Sequence, residues 1–309
     1  MKQLRLLFIV LGVIVATLWG VLAWRTPETR DITTVTRSDA QGEYIQLSDG
    51  VTHYDLGGPD TARTVVLVHG FSVPMYIWDS TAVALRDAGY RVLRYDLFGR
   101  GLSDRPDASY DGTFHANQLK ELLDSLGIRE PVDVVGLSFG GPVSAYFTTQ
   151  HRARVRTLTL MDPATERASP PGWLAWPVVG HWVWQVTRAP NAAQGQPSDF
   201  LHPERFPEWV SRYEPQMQYK GFGRALRRSV LNTGASNIDS LYDAVGRTGV
   251  PAMLIWGKQD NTTPIAAADQ LIPRIPGIVF LPVDSAGHLP AMEQGGVVHP
   301  AMLAFFAAH

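Results

Sequence analysis

Residues 132–141 read Val132-Asp133-Val134-Val135-Gly136-Leu137-Ser138-Phe139-Gly140-Gly141. The first four are mostly β-branched and apolar, the composition of a buried strand, and the residues after Gly141 are compatible with a helix. A Gly-x-Ser-x-Gly string between strand and helix reads as a nucleophile elbow, in which small residues relieve crowding in a tight, strained turn and the serine projects above the sheet edge. A glycine-rich turn with a capping serine is the weaker reading, since the string stands directly at a strand end. Ser138 is therefore the candidate nucleophile. A serine hydroxyl attacks poorly until a positioned base takes its proton and an acid orients that base. Elbows of this kind carry the chain order serine, acid, histidine.

Downstream, His288 lies in Ser-Ala-Gly-His-Leu-Pro, after the strand-like run 278–283 and before the last helix-like stretch, and is the candidate base. His299 and His309 fall in or beyond that helix, and His115, His151, His181 and His202 fall in helices or in an irregular insert. For the acid, Asp260 in Trp-Gly-Lys-Gln-Asp follows the strand-like run 252–257. Asp162, ending the run 156–162, is the alternate, while Asp284 has no strand end of its own. Charge developing on a carbonyl oxygen needs preorganised donors; the backbone N–H groups of Phe71 and Phe139 are the candidates for an oxyanion hole, and His69 beside the first is expected to be structural. Gly99-Arg100-Gly101 lacks the third glycine of a dinucleotide loop. With no cysteine in the chain, thiolate metal sites and disulfides are excluded. No cofactor and no metal are expected. The sequon Asn261-Thr262-Thr263 adjoins the proposed acid and is taken as chance.

Further runs at 64–69 and 91–96 alternate with helix-like segments, which predicts an α/β fold with a doubly wound, mostly parallel sheet of about eight strands. The alternation stops near Pro163. A segment rich in proline, with Trp173, Trp176, Trp182, Trp184 and Trp209, reads as an inserted helical cap over 164–245, its tryptophans taken as core in preference to ligand wall. The core is then 43–163 and 246–309, with a linker over 26–42.

Apolar residues form 45% and charged residues 18% of the 309-residue chain, and 27 basic residues against 29 acidic ones give a net charge of -2. That composition folds, and it supplies no basic field for nucleic acid. Arg224, Arg227 and Arg228 read as a solvated helical face. Between Leu4 and Trp24 the sole charge is Arg5, so residues 1–25 are long and apolar enough to cross a bilayer. Lys2 and Arg5 precede the run and Trp19 and Trp24 lie near its far end, which favours a single-pass membrane anchor. Cleavage as a signal segment, giving a secreted or periplasmic protein, is the rival.

Five strings in order, Val-His-Gly-Phe at 68–71, Asp-Leu-Phe-Gly-Arg-Gly-Leu-Ser-Asp at 96–104, Gly-Leu-Ser-Phe-Gly-Gly at 136–141, Trp-Gly-Lys-Gln-Asp at 256–260 and Ala-Gly-His at 286–288, make the chain resemble the α/β-hydrolase superfamily from about residue 43 onward. The resemblance is to its capped serine-hydrolase branch: monoacylglycerol lipases and carboxylesterases, and equally hydrolases of meta-cleavage products. It implies cleavage of a small, lipophilic carboxylic ester through a Ser138 acyl-enzyme, without a cofactor. Carbon–carbon bond hydrolysis, cofactor-free haloperoxidase chemistry and a non-catalytic ligand-binding role remain alternatives.

Overall fold

The computed structural model describes residues 1–38, 40–165, 170–233 and 238–309. Eight strands form one sheet: β1 (Glu43–Leu47), β2 (Gly50–Gly57), β3 (Thr64–Val68), β4 (Arg91–Tyr95), β5 (Val132–Leu137), β6 (Val155–Met161), β7 (Ala252–Gly257) and β8 (Val279–Val283). Their order is β1-β2-β4-β3-β5-β6-β7-β8. β1 pairs antiparallel with β2 and β2 with β4, and every later pairing is parallel. The expected mostly parallel, eight-stranded sheet is thus observed. The β1–β2 hairpin is a feature that the apolar-run reading did not identify.

Because side chains alternate across a strand, the sheet feeds two apolar layers. Val66 and Val68 of β3, with Val132 and Val134 of β5, pack with Leu119, Leu122 and Val143 from the helices Gly112–Ser125 and Gly140–Gln150. Val65 and Leu67, with Val135 and Leu137, pack with Leu85, Val298, Met302 and Phe306 from Asp79–Asp87 and Gly295–Ala308. Burial on both faces explains why β3 and β5 are mostly apolar; the one charge in β5, Asp133, is buried against Arg63 and the Thr157 hydroxyl.

Between β6 and β7 the described residues form short helices and 3-10 turns, among them Gly172–Ala175, Val179–Thr187, Trp209–Met217 and Phe222–Thr233, and no strand. The expected cap span includes residues 166–169 and 234–237, which lie outside the described residues. Two expectations for this segment are corrected. Of its five tryptophans only Trp209 is buried; Trp173 and Trp176 are exposed. Arg227 is not on a solvated face: it is buried and its guanidinium donates to the carbonyls of Leu174 and Trp176, of which the Leu174 carbonyl, in the turn Gly172–Ala175, has no backbone donor among the described residues.

Residues Lys2–Arg25 form one 24-residue helix, exposed from Lys2 to Gly20. The segment after it is docked to the insert: Arg30 exchanges backbone hydrogen bonds with Gln218 and Lys220, and the Glu28 carboxylate accepts from the N–H groups of Gly221 and Gly223 and from the Gln185 amide.

Candidate active site

Strand β5 ends at Leu137, and the next residue turns into the Gly140–Gln150 helix. Ser138 takes φ = 52°, a left-handed conformation costly for a residue bearing a Cβ and held only when its surroundings over-determine it. They do so here: the Ser138 N–H donates to Met161 O at 2.9 Å, and its carbonyl accepts from the N–H groups of Gly141 and Ala164. The flanking glycines are required by close approach. A Cβ on Gly136 would lie 2.3 Å from Gly140 O, and one on Gly140 would lie 2.4 Å from Val68 O.

The β3 end supplies the loop facing this turn. A Cβ on Gly70 would sit 3.3 Å from Ser138 Cβ, so the Phe71 backbone passes beside the serine. The N–H groups of Phe71 and Phe139 donate to no other protein group among the described residues. Arg100 fixes the Phe71 loop, its Nε donating to Phe71 O at 2.8 Å and its Nη2 to Ser229 Oγ at 2.8 Å. His69 is fully buried, and burial pulls its ring down to about 4. It is neutral; Nε2 accepts from the Leu97 N–H, so Nδ1 carries the proton and donates to Gly70 O. That is the structural role expected of it.

Asp260 and His288 meet on the loops after β7 and β8, with His288 Nδ1 2.7 Å from Asp260 Oδ2. Oδ1 of Asp260 accepts from the N–H groups of Thr262 and Thr263, and the Thr263 hydroxyl donates to Oδ2 at 2.7 Å. Burial pushes the Asp260 carboxyl up; its hydrogen bond and charge contact with His288, together with the Thr263 bonds, outweigh burial and hold it below the ordinary carboxylate range. An ionised Asp260 places the His288 proton on Nδ1, which leaves Nε2 as the basic nitrogen. His288 is fixed at its backbone as well, its N–H donating to Asp199 O at 2.8 Å.

The alternate acid is not elsewhere. Asp162, at φ = 42° just past β6, lies in the same cluster: one ligand atom from each of Asp162, Asp260 and His288 falls within 4.8 Å of the others. The Nδ1–Oδ2 contact has hydrogen-bond length and leaves no room between those atoms for an ion needing about 2.0–2.2 Å to each ligand. Asp162 Oδ1 accepts from the Gly257 N–H at 2.8 Å, while Oδ2 has no donor. Burial, and then the Asp260 charge, push the Asp162 carboxyl well above its ordinary range, which favours its neutral form beside an ionised Asp260. A carboxyl raised in the fold contributes stability that is complete below the ordinary carboxylate value of about 4 and is lost as pH rises through the raised value. Asp162→Asn keeps a donor and an acceptor in place but does not titrate. Its melting temperature relative to the parent should rise by a few degrees as pH is raised from about 5, measured by calorimetry; a pH-independent difference would contradict a neutral Asp162.

Ser138 and His288 line one cavity of about 240 Å³, walled by Phe71, Val73, Ile77, Leu137 and Leu289, with Asp199, Gln196 and Thr262 at its polar side. A cavity of about 370 Å³ lined by His53, Asp96, Arg94 and Arg212 contains neither Ser138 nor His288. Size alone does not mark the site. Sequence reading missed Asp199, Thr262 and Thr263. The two threonines carried a signal, since an aspartate followed by Thr-Thr suits a side-chain turn onto the next backbone N–H groups; Asp199 carried none.

The sequence profile of the alpha/beta hydrolase fold family matches residues 63–294, and the chain belongs to that family. It is 27% identical over 242 residues to a pimeloyl-[acyl-carrier protein] methyl ester esterase of Neisseria meningitidis, covering 76% of this chain and 74% of that protein. It is 23% identical over 262 residues to a monoacylglycerol lipase of Xenopus laevis, covering 77% and 73%. Among solved structures, the enol-lactonase from Burkholderia xenovorans superposes with a TM-score of 0.75 at 22% identity, over 86% of this chain and 100% of that one; the likeness is one of fold.

Proposed function

We propose that this protein is a serine hydrolase of carboxylic esters with a lipophilic part, anchored in a membrane by residues 1–25, with 26–42 as linker, 43–163 and 246–309 as catalytic core, and 164–245 as a cap over the pocket. The observation that carries the reading is the His288–Asp260 hydrogen bond beside a strained Ser138 in one cavity. In the proposed reaction Ser138 Oγ attacks the carbonyl carbon as His288 Nε2 takes its proton, and the Phe71 and Phe139 N–H groups receive the oxyanion. His288 then protonates the departing alcohol, and a water deprotonated by His288 releases the acid and frees Ser138. The ester-cleaving names of two relatives support this chemistry. The apolar walls support a lipophilic acyl group.

A neutral ester is preferred to the keto acid of a carbon–carbon hydrolase because the cavity lining holds no lysine or arginine, and its carboxylic side chain is Asp199. An anionic substrate would meet no cation within this lining to pair with. The test is turnover of a p-nitrophenyl ester series from acetate to palmitate beside a dienoic keto acid, using the full-length protein in detergent. Esters should be cleaved with at least tenfold higher kcat/KM, about 1.4 kcal/mol of transition-state preference. Faster cleavage of the keto acid would reverse the assignment.

A further inference from the structure

The helix Lys2–Arg25 does not stand apart from the catalytic unit. It lies against the cap helix Val179–Thr187, where Trp182 Nε1 donates to Leu18 O at 2.9 Å and Arg25 Nε donates to Val186 O at 3.2 Å. Leu18 is seven residues before the helix end, about 10 Å along the axis at 1.5 Å per residue. If Leu4–Trp24 fills the roughly 30 Å hydrocarbon layer, Leu18, six residues before Trp24, holds Trp182 about 9 Å inside that layer's edge, within reach of the acyl chains. On the same stretch of cap four apolar side chains face outward: Trp173 is 40% exposed, Trp176 59%, Val178 79% and Val179 48%. They are not fraying loop residues, because the buried Arg227 binds the Leu174 and Trp176 carbonyls between them. A fixed apolar edge rimmed by tryptophan and continuous with an exposed apolar helix is the composition of a surface that sits in a membrane interface.

The edge also leads to the serine. Trp184, Thr187 and Arg188, on or just after the docked helix, line a cavity of about 350 Å³ whose other wall is Phe71, Ser72, Gly195 and Gln196. Those same four residues line the Ser138 cavity. We infer that the Trp173–Val179 edge of the cap is embedded in the lipid bilayer beside residues 2–25, and that the adjoining cavity admits esters from the bilayer sideways to Ser138. This rests on the proposed reading of the N-terminal helix as an anchor and of Ser138 as nucleophile, and names the source of the substrate.

The natural chain has no cysteine, so single nitroxide labels can be placed on the full-length protein in phosphatidylcholine vesicles. A label at Val178→Cys should be more accessible to dissolved oxygen than to a water-soluble nickel complex, and one at Val279→Cys, on the edge strand β8, the reverse. In parallel, the double variant Trp173→Ser/Trp176→Ser should lose about tenfold in turnover of a long-chain ester dissolved in the vesicles, with hydrolysis of a water-soluble short ester unchanged. A Val178→Cys label as water-exposed as the Val279→Cys label overturns the docking surface, whatever the catalytic result. An equal loss on both esters overturns delivery from the bilayer. If the parent cleaves neither ester while the Val178→Cys label is immersed, the docking surface stands and the ester-hydrolase reading fails.

Discussion

Replacing Ser138 with alanine should lower kcat on the best p-nitrophenyl ester by roughly 10⁵-fold, with the melting temperature preserved or raised. The kinetic half follows from the proposed division of labour. Without Oγ no acyl-enzyme forms, and the Phe71 and Phe139 N–H groups with the apolar walls retain only the modest catalysis that binding and oxyanion contacts give on their own. The stability half follows from the backbone. Ser138 stays in the left-handed region through main-chain bonds to Met161, Gly141 and Ala164, none of which uses its side chain, and alanine places the same Cβ there. A large loss of folding stability in the variant would mean that the hydroxyl is structural. Undiminished turnover would remove Ser138 from the mechanism.

The second large effect belongs to Asp260. Asp260→Asn should cost roughly 10⁴-fold in kcat with little change in KM. The asparagine still accepts from the Thr262 and Thr263 N–H groups through its carbonyl oxygen, as Oδ1 does now. That orients its amide N–H groups toward His288 Nδ1 and Thr263 Oγ1, where Oδ2 now accepts. His288 must then accept at Nδ1 and carry its proton on Nε2, the wrong tautomer for a base facing Ser138. Asp162 tests the specificity of this result. Although it is buried in the same cluster, burial and the Asp260 charge raise its pKa and disfavour its carboxylate form, so Asp162→Asn should keep activity within about tenfold of the parent. Equal losses at the two positions would show that the pair acts as one acid.

The contrast between these residues also shows how far a sequence can be read. Ser138, Asp260 and His288 each follow a mostly apolar strand, so the sheet edge could be located from composition and the three polar residues placed beside it. Asp162 was visible by the same rule, but the rule could not say that β6 and β7 are hydrogen-bonded neighbours, which brings both carboxyls to one histidine. Asp199 was invisible because it comes from a 3-10 turn between β6 and β7, Gln196–Asp199. Nothing periodic marks a segment whose shape is set by tertiary contacts. The β1–β2 hairpin escaped for a related reason: β1 is half-exposed along most of its length and lacks the continuous apolar run of a central strand. Arg227 was misassigned because a charged residue on an amphipathic helix is normally solvated, and only the chain reversal at 172–176 supplies the carbonyls that bury it.

A fluorophosphonate phosphorylates an activated serine irrespective of the natural substrate, so it reports on Ser138 as the nucleophile and His288 as its base. Mass spectrometry of the full-length protein after reaction should give one adduct per chain, mapped to Ser138, with labelling slowed at least a hundredfold in His288→Ala. An adduct on another residue, or labelling of Ser138 at the same rate without His288, would contradict the account.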